Sequence, residues 1–301
     1  MAHDHPHAPT SHGQAFALGI SLNLGYVVLE VLFGLWAGSL ALLADAGHNA
    51  SDVLSLLLAW GAGALARRRP AGRFTYGFKR SPILASLFNA LLLLVAMGAI
   101  AWEAIHRLGG PDAVEAGTVV WVAVAGVLVN GVTALLFLRG GREDLNIRGA
   151  FLHMAADTGV TAGVLVAGLI MLWTTWAWLD PAISLLVVLV VLASTWGLLR
   201  DSLHLALDAV PAGIDLEGVR SYLAGIPGVS EVHDLHVWPL STTETALTAH
   251  LVYPAGVDEP DRLLGRICQE LHHRFGIGHS TLQLETGSGA DPCRLADPHT
   301  V

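Results

Sequence analysis

Six apolar runs of this chain, at roughly 14–37, 40–64, 81–105, 116–138, 149–173 and 180–199, contain no lysine or arginine. Each is close to the ~20 residues that a membrane-spanning helix needs. A helix satisfies its own backbone hydrogen bonds, which is the condition for crossing hydrocarbon. Two of the runs nevertheless carry the same polar pair, a histidine followed four residues later by an aspartate: His48/Asp52 and His153/Asp157. An ionised aspartate near the bilayer centre costs roughly 2.5–3.5 kcal/mol even on lenient insertion scales. It needs a cation beside it, and the runs supply no basic side chain. The missing positive charge is expected to come from outside the chain.

Composition agrees with a membrane protein. Hydrophobic residues make up 53% of the chain and charged residues 14%, against about 25% charged in soluble domains. Mean hydropathy is +0.56. From about residue 208 the composition becomes that of a soluble domain. The expected organisation is a His-rich N-terminal tail (1–13), a six-helix transmembrane domain (14–207), a small C-terminal α+β domain (208–287) and a C-terminal tail (288–301). Both tails read as disordered. The first tail holds His3, His5, His7 and His12 among polar residues, a composition suited to loose metal capture.

Basic residues set the orientation. Arg67, Arg68, Arg69, Arg73, Lys79 and Arg80 lie between the second and third runs, Arg139, Arg142 and Arg148 between the fourth and fifth, and Arg200 after the sixth. Only Arg107 stands near a boundary on the opposite side. The asymmetry places both termini in the cytoplasm. The residues before the first run have neither the positive start nor the cleavage pattern of a signal peptide. A net charge of −9 and the lack of a basic recognition motif argue against nucleic acid as a partner. Cys268 and Cys293 both fall on the cytoplasmic side, where a disulfide is not expected.

Spacing of four puts each His/Asp pair on one helix face. Two such faces turned inward offer two imidazole nitrogens and two carboxylates, a donor set that suits tetrahedral Zn²⁺. Gly159, Thr161 and Gly163 follow the second pair, and small residues at this spacing let helix backbones approach closely. The competing reading is that each pair only hydrogen-bonds within its helix or to a neighbour. Repetition in two spans favours a shared ion. Asp45, on the same stripe as His48 and Asp52, is open to three roles: orienting His48 from behind, carrying a proton, or joining the ligands. Glu30 and Glu103 are expected to be protonated or bonded to Asn23, Asn89 or Asn130. Asp180, before Pro181, is expected to cap the sixth helix.

The C-terminal domain reads as helix (214–223), strand (229–238), strand (243–252), helix (258–275) and strand (280–285). His233 and His236 belong to one strand but differ by three positions, so they are expected to point to opposite faces and not to share an ion. Cys268 and His272 share a helix face, where a buried cysteine is the simplest reading.

Ala44-Asp45-Ala46-Gly47-His48 through Asp52, Tyr76-Gly77-Phe78-Lys79-Arg80, Glu103-Ala104-Ile105, Leu152-His153 through Asp157, Asp180-Pro181, Val232 through Trp238 and Thr281 through Glu285 together resemble the cation diffusion facilitators. The likeness is to the bacterial zinc, cadmium and cobalt efflux type, which is also similar to the vertebrate zinc transporters. It implies a homodimer in the bacterial inner membrane that exchanges a divalent metal for protons. By this resemblance the transport ligands are His48, Asp52, His153 and Asp157, and the C-terminal fold is a metallochaperone-like dimerisation domain. A cytoplasmic metal site falls on His233, His250 and Glu285, although Gln283 stands where relatives often have a further histidine. Lys79 and Asp208 occupy the positions of a charge interlock near the membrane, and His204 is placed to meet metal in transit.

Imidazole with carboxylate suits Zn²⁺, Co²⁺ and Cd²⁺ better than Mg²⁺ or Ca²⁺. Imidazole must lose its proton to bind metal, and its reference pKa near 6.5 lets protons compete at physiological pH. The paired histidines resemble the zinc-selective members. Three function classes follow: a proton-coupled Zn²⁺ efflux transporter, a metal-binding membrane sensor that does not translocate, and an intramembrane metalloenzyme. The third is weak, because no His-Glu-x-x-His or paired Glu-x-x-His motif is present. Within the family, preference for Mn²⁺, Fe²⁺ or Ni²⁺ is the alternative.

Overall fold

A computed structural model describes residues 12–110, 112–138, 145–287, 293 and 295, with side chains described outside 12–20 and 136–150. His3, His5 and His7, the arginines at 139 and 142, and most of the C-terminal tail lie outside the described residues, as does the side chain of Arg148, while His12 begins the first helix. Six long helices come first: α1 (His12–Ala37), α2 (Leu40–Ala66), α3 (Ser81–Gly109), α4 (Ala116–Leu138), α5 (Leu145–Thr174) and α6 (Leu179–Ala206). Among the described residues five are long and apolar enough to span a membrane, and the described apolar part of α1, Ser21–Ala37, is shorter. Large apolar side chains such as Leu32, Val95, Trp121 and Leu189 point outward, as expected of surfaces that meet lipid rather than water.

The chain divides into two compact units, one comprising residues up to Leu57 with Asn89–Gly197, the other Leu58–Phe88 with Leu198 onward. In the first, Tyr26, Leu42, Met97, Val119, Val164 and Val188 belong to one core. The turn between α1 and α2 passes through Gly38 in the left-handed region, at φ +66°. Ser39 follows, and its Oγ accepts a hydrogen bond from the Leu42 amide at 3.2 Å, which caps α2.

Asp180 corrects an expectation here. It lies inside α6 and its carboxylate reaches the start of α2, accepting from Ser39 Oγ at 2.5 Å and from the Leu40 amide at 2.7 Å. The free amides of α2 are the stronger demand for an acceptor, since they are buried against α6. The small-residue expectation also moves. A Cβ at Gly159 or Gly163 would meet nothing within 4 Å, whereas one at Gly126 would fall 2.0 Å from Tyr26 Oη and 2.7 Å from Thr161 Cγ2. The close approach is therefore made by α4. Gly126→Ala is expected to destabilise the membrane unit by about 1–3 kcal/mol through overpacking. A lowered thermal midpoint of the purified protein would register it, with Gly159→Ala nearly neutral.

The C-terminal domain contains α7 (Leu216–Ala224), β1 (Glu231–Pro239), β2 (Thr245–Val252), α8 (Pro260–Phe275) and β3 (Ile277–Glu285). The αββαβ order matches the sequence reading. The sheet order is β1-β2-β3, antiparallel between β1 and β2 and parallel between β2 and β3. Asp215 caps α7 by accepting from the Gly218 amide. Gly276, at φ +69°, ends α8 in the left-handed conformation, a role suited to glycine. Val219, Leu223, Leu247, Leu251, Ile267 and Leu271 build the core between helices and sheet.

Candidate metal centre

α2 and α5 bring the two His/Asp pairs together. His48 Nε2 lies 3.0 Å from Asp157 Oδ1 and 3.7 Å from Asp52 Oδ2, while His153 Nε2 lies 3.3 Å from Asp52 Oδ2 and 3.7 Å from Asp157 Oδ2. The edge of a tetrahedron built from Zn–N and Zn–O bonds near 2.0–2.1 Å is about 3.3 Å, so the four separations bracket it. His48, Asp52 and Asp157 present donor atoms all within 4.8 Å of one another. His153 stands at the rim: it is outside that set of three, its side chain is 47% exposed, and its ring meets that of His48 edge-on with centroids 6.1 Å apart.

The carboxylates carry the electrostatic argument. Asp157 is 2% exposed, and the Oδ2 atoms of both Asp52 and Asp157 are buried without a hydrogen bond. Buried acceptors without partners are unfavourable, and buried anions more so. Neutral imidazoles alone do not offset two such groups. Behind the cluster, Asp45 accepts from Thr161 Oγ1 of α5 at 2.8 Å, and the same hydroxyl lies 3.0 Å from the Asp157 carbonyl oxygen. Thr161 thus links Asp45 to the backbone that carries Asp157. Sequence reading treated this threonine only as a small residue.

The other buried acids and amides pair differently from expectation. Glu30, fully buried, accepts from Asn49 Nδ2 at 3.0 Å. Glu103, which is exposed, instead pairs with Arg107 one turn on, at 2.9 Å. Asn89 of α3 donates to Ser51 Oγ at 3.1 Å and Ser55 Oγ at 2.6 Å, the serines on either side of Asp52 in α2.

A second cluster lies in the C-terminal domain. His233, His250, Glu285 and Cys293 present donor atoms within 4.8 Å of one another. His250 Nδ1 is 2.9 Å from Glu285 Oε1 and 3.5 Å from Cys293 Sγ, and His233 Nε2 is 3.5 Å from Glu285 Oε2. The pairing of His233 with His250 across β1 and β2 explains why the two rings meet. The register then shifts between His233 and His236, with one extra residue on β1. This bulge overturns the expectation that His233 and His236 face opposite ways, because their partners His250 and Thr248 are two apart and share a face. Asp234, in the bulge at φ +49°, reaches His236 Nε2 at 2.8 Å and His250 Nε2 at 3.5 Å. The Gln283 amide donates to Glu285 Oε1 at 2.8 Å. Cys268 on α8 is a free, half-buried thiol, and His204 is exposed in the last turn of α6.

Lys79 and Asp208 do not pair with each other within the chain. Lys79 Nζ meets Glu244 of the β1–β2 turn, and Asp208 accepts from Arg80. Adjacent basic residues before α3 thus divide two acids between them, with the side chain of Arg80 rather than Lys79 directed at the end of α6. Charge reversal tests this: Lys79→Glu with Glu244→Lys is expected to recover about 0.2–1 kcal/mol of coupling in thermal midpoints, while Lys79→Glu with Asp208→Lys is additive. Recovery by the second pair instead would place that contact between two copies of the chain.

Residues 16–205 match the family described as cation efflux transmembrane domain, and residues 211–287 match the cation efflux protein, cytoplasmic domain. The chain is 36% identical, over 98% of its length and 92% of the relative's, to the metal cation efflux system protein CzcD of Cupriavidus metallidurans. It is 38% identical, over 99% of its length and 96% of the relative's, to the zinc transporter ZitB of Escherichia coli. The cadmium, cobalt and zinc/H(+)-K(+) antiporter of Bacillus subtilis is 33% identical over 94% of this chain and 92% of that protein. A solved structure of the metal-bound C-terminal domain of the Cupriavidus CzcD is 36% identical over 24% of this chain and 99% of that one, with a TM-score of 0.23.

Proposed function

The chain belongs to the cation efflux family, and from that premise we propose that it is a transporter, not an enzyme, that exports Zn²⁺ in exchange for protons. Cd²⁺ and Co²⁺ are the other expected substrates. His48, Asp52, His153 and Asp157 hold the ion, with Asp45 positioning this set through Thr161 or taking part in proton transfer. The observation that carries the reading is the pair of buried, unbonded carboxylate oxygens on Asp52 and Asp157, facing two imidazoles at tetrahedral-edge separations. Two carboxylates neutralise a dication, and imidazole nitrogens favour Zn²⁺ over Mg²⁺ or Ca²⁺.

Proton exchange follows from the same donors. A protonated imidazole has no lone pair for metal, so affinity weakens as pH falls through the histidine range and recovers as pH rises. Metal leaving toward an acidic exterior is replaced by protons, which return as the helices re-expose the site inward; mid-membrane binding with alternating access is the common pattern of secondary transporters. The protein is proposed to reside in the bacterial inner membrane with both termini cytoplasmic and to act as a homodimer through its C-terminal domain. His233, His250 and Glu285 are proposed to bind a regulatory metal there.

Reconstituted vesicles test transport directly. Zn²⁺ is expected to accumulate in the lumen against its own gradient when the lumen is acidic, with Cd²⁺ and Co²⁺ competing better than Mn²⁺. Metal binding without flux would instead identify a sensor.

A further inference from the structure

We propose that Cys293 supplies the fourth ligand of the cytoplasmic metal site, making it a two-histidine, glutamate and thiolate set. This rests on the reading of His233, His250 and Glu285 as metal ligands and adds the residue that completes them. A tetrahedral ion needs four donors, and these three leave one vertex. Gln283 is the nearest residue by register, paired with His250 across the parallel strands. Its amide nitrogen, however, is turned to Glu285 Oε1, and such a nitrogen has no lone pair to offer. Gln283 therefore orients the glutamate and leaves the vertex free.

Cys293, eight residues beyond the end of β3 at Glu285, brings its sulfur to that vertex. Its Sγ lies 3.5 Å from His250 Nδ1. Zn–N and Zn–S bonds of about 2.0–2.1 and 2.3 Å at a tetrahedral angle place N and S about 3.5–3.6 Å apart. His233 is a further pointer to a ligand: it is only 8% exposed, and its Nδ1 and Nε2 face the carboxylates of Glu231 at 3.2 Å and Glu285 at 3.5 Å without hydrogen-bond geometry. His250 has the backing of a metal-ligating imidazole. Its Nδ1 faces the cluster, while Nε2 is directed at Asp234 Oδ2, 3.5 Å away, the carboxylate–histidine arrangement that fixes the tautomer and raises ligand basicity. The bulge at Asp234 makes this possible by turning that carboxylate toward both His236 and His250. Charge also balances, because glutamate and thiolate together neutralise a dication. A thiolate shifts the site toward Zn²⁺ and Cd²⁺ and away from Mn²⁺. The transmembrane donors contain no sulfur, so the two sites are spectroscopically distinct.

Full-length protein in lipid nanodiscs is titrated with Co²⁺, and the near-ultraviolet thiolate-to-cobalt charge-transfer band is followed. Wild type is expected to develop the band, Cys268→Ser to retain it, and Cys293→Ser and His250→Ala to lose it. Zn²⁺ competition is expected to show roughly 10–100-fold weaker cytoplasmic binding in Cys293→Ser. Absence of the band in wild type, or its persistence in Cys293→Ser, overturns the assignment. If the band is absent but His250→Ala still removes one equivalent of bound metal, the three-residue cytoplasmic site stands without the cysteine. If His250→Ala removes no metal either, the cytoplasmic site itself is refuted.

Discussion

Asp157→Ala is expected to lower Zn²⁺ flux into reconstituted vesicles at least about 100-fold while the protein still folds and dimerises. The loss corresponds to roughly 2.7 kcal/mol or more of binding free energy, since each tenfold is about 1.4 kcal/mol. Asp157 contributes one of two anions to the proposed site, and its Oδ2 has no hydrogen bond. Its other oxygen takes only the contact with His48. Removing a buried carboxylate oxygen that lacks a partner relieves an unfavourable burial and offsets the lost contact with His48, so the metal-free thermal midpoint should change little. Zn²⁺-induced stabilisation, which for the wild type reaches about 2.7 kcal/mol at a hundredfold excess over Kd, should shrink. Unchanged flux in this variant would reject the four-residue site.

Asp180→Ala is expected to act through folding instead, destabilising the membrane unit by about 1–3 kcal/mol for each buried donor left without an acceptor, whether or not metal is present. Asp180 is fully buried, like Asp157 almost is, but it is richly paired. It serves the Ser39 hydroxyl and the Leu40 amide, with the Ala41 amide 3.4 Å away. Without the carboxylate, buried donors at the start of α2 have no acceptor, at about 1–3 kcal/mol for each. Asp180→Asn keeps one acceptor oxygen and should lose less. Thermal unfolding in detergent measures both; a midpoint within a degree of wild type for the alanine variant would show that the contact is dispensable.

These two aspartates illustrate what was legible in the sequence. Hydropathy located the six helices, and the repeated His/Asp spacing named the residues that α2 and α5 gather, because helical periodicity fixes which side chains share a face. The αββαβ order of the C-terminal domain was also readable, with boundaries shifted by a few residues at β3 and α8. What escaped depends on contacts between elements. Nothing local distinguishes an aspartate capping its own helix from one capping a neighbour, as Asp180 does. Gly126 looks like Gly159 until Tyr26 and Thr161 arrive beside it. The bulge at Asp234 changes which face His236 occupies, and its left-handed backbone has no glycine to announce it. Cys293 sits in a polar tail where spacing conveys no partner. Lys79 and Arg80 are adjacent and chemically alike, so only the fold decides which acid each meets.

The double clasp of Asn89 on Ser51 and Ser55 limits which motions are open to α2. A helix that rolls by one residue turns about 100°, which would tear both bonds and leave three polar groups bare in a greasy setting. Tilting α2 together with α3, as one paddle, keeps them intact. Asp52 lies between the two serines in sequence, so the clasp also restrains the turn of α2 that carries its carboxylate.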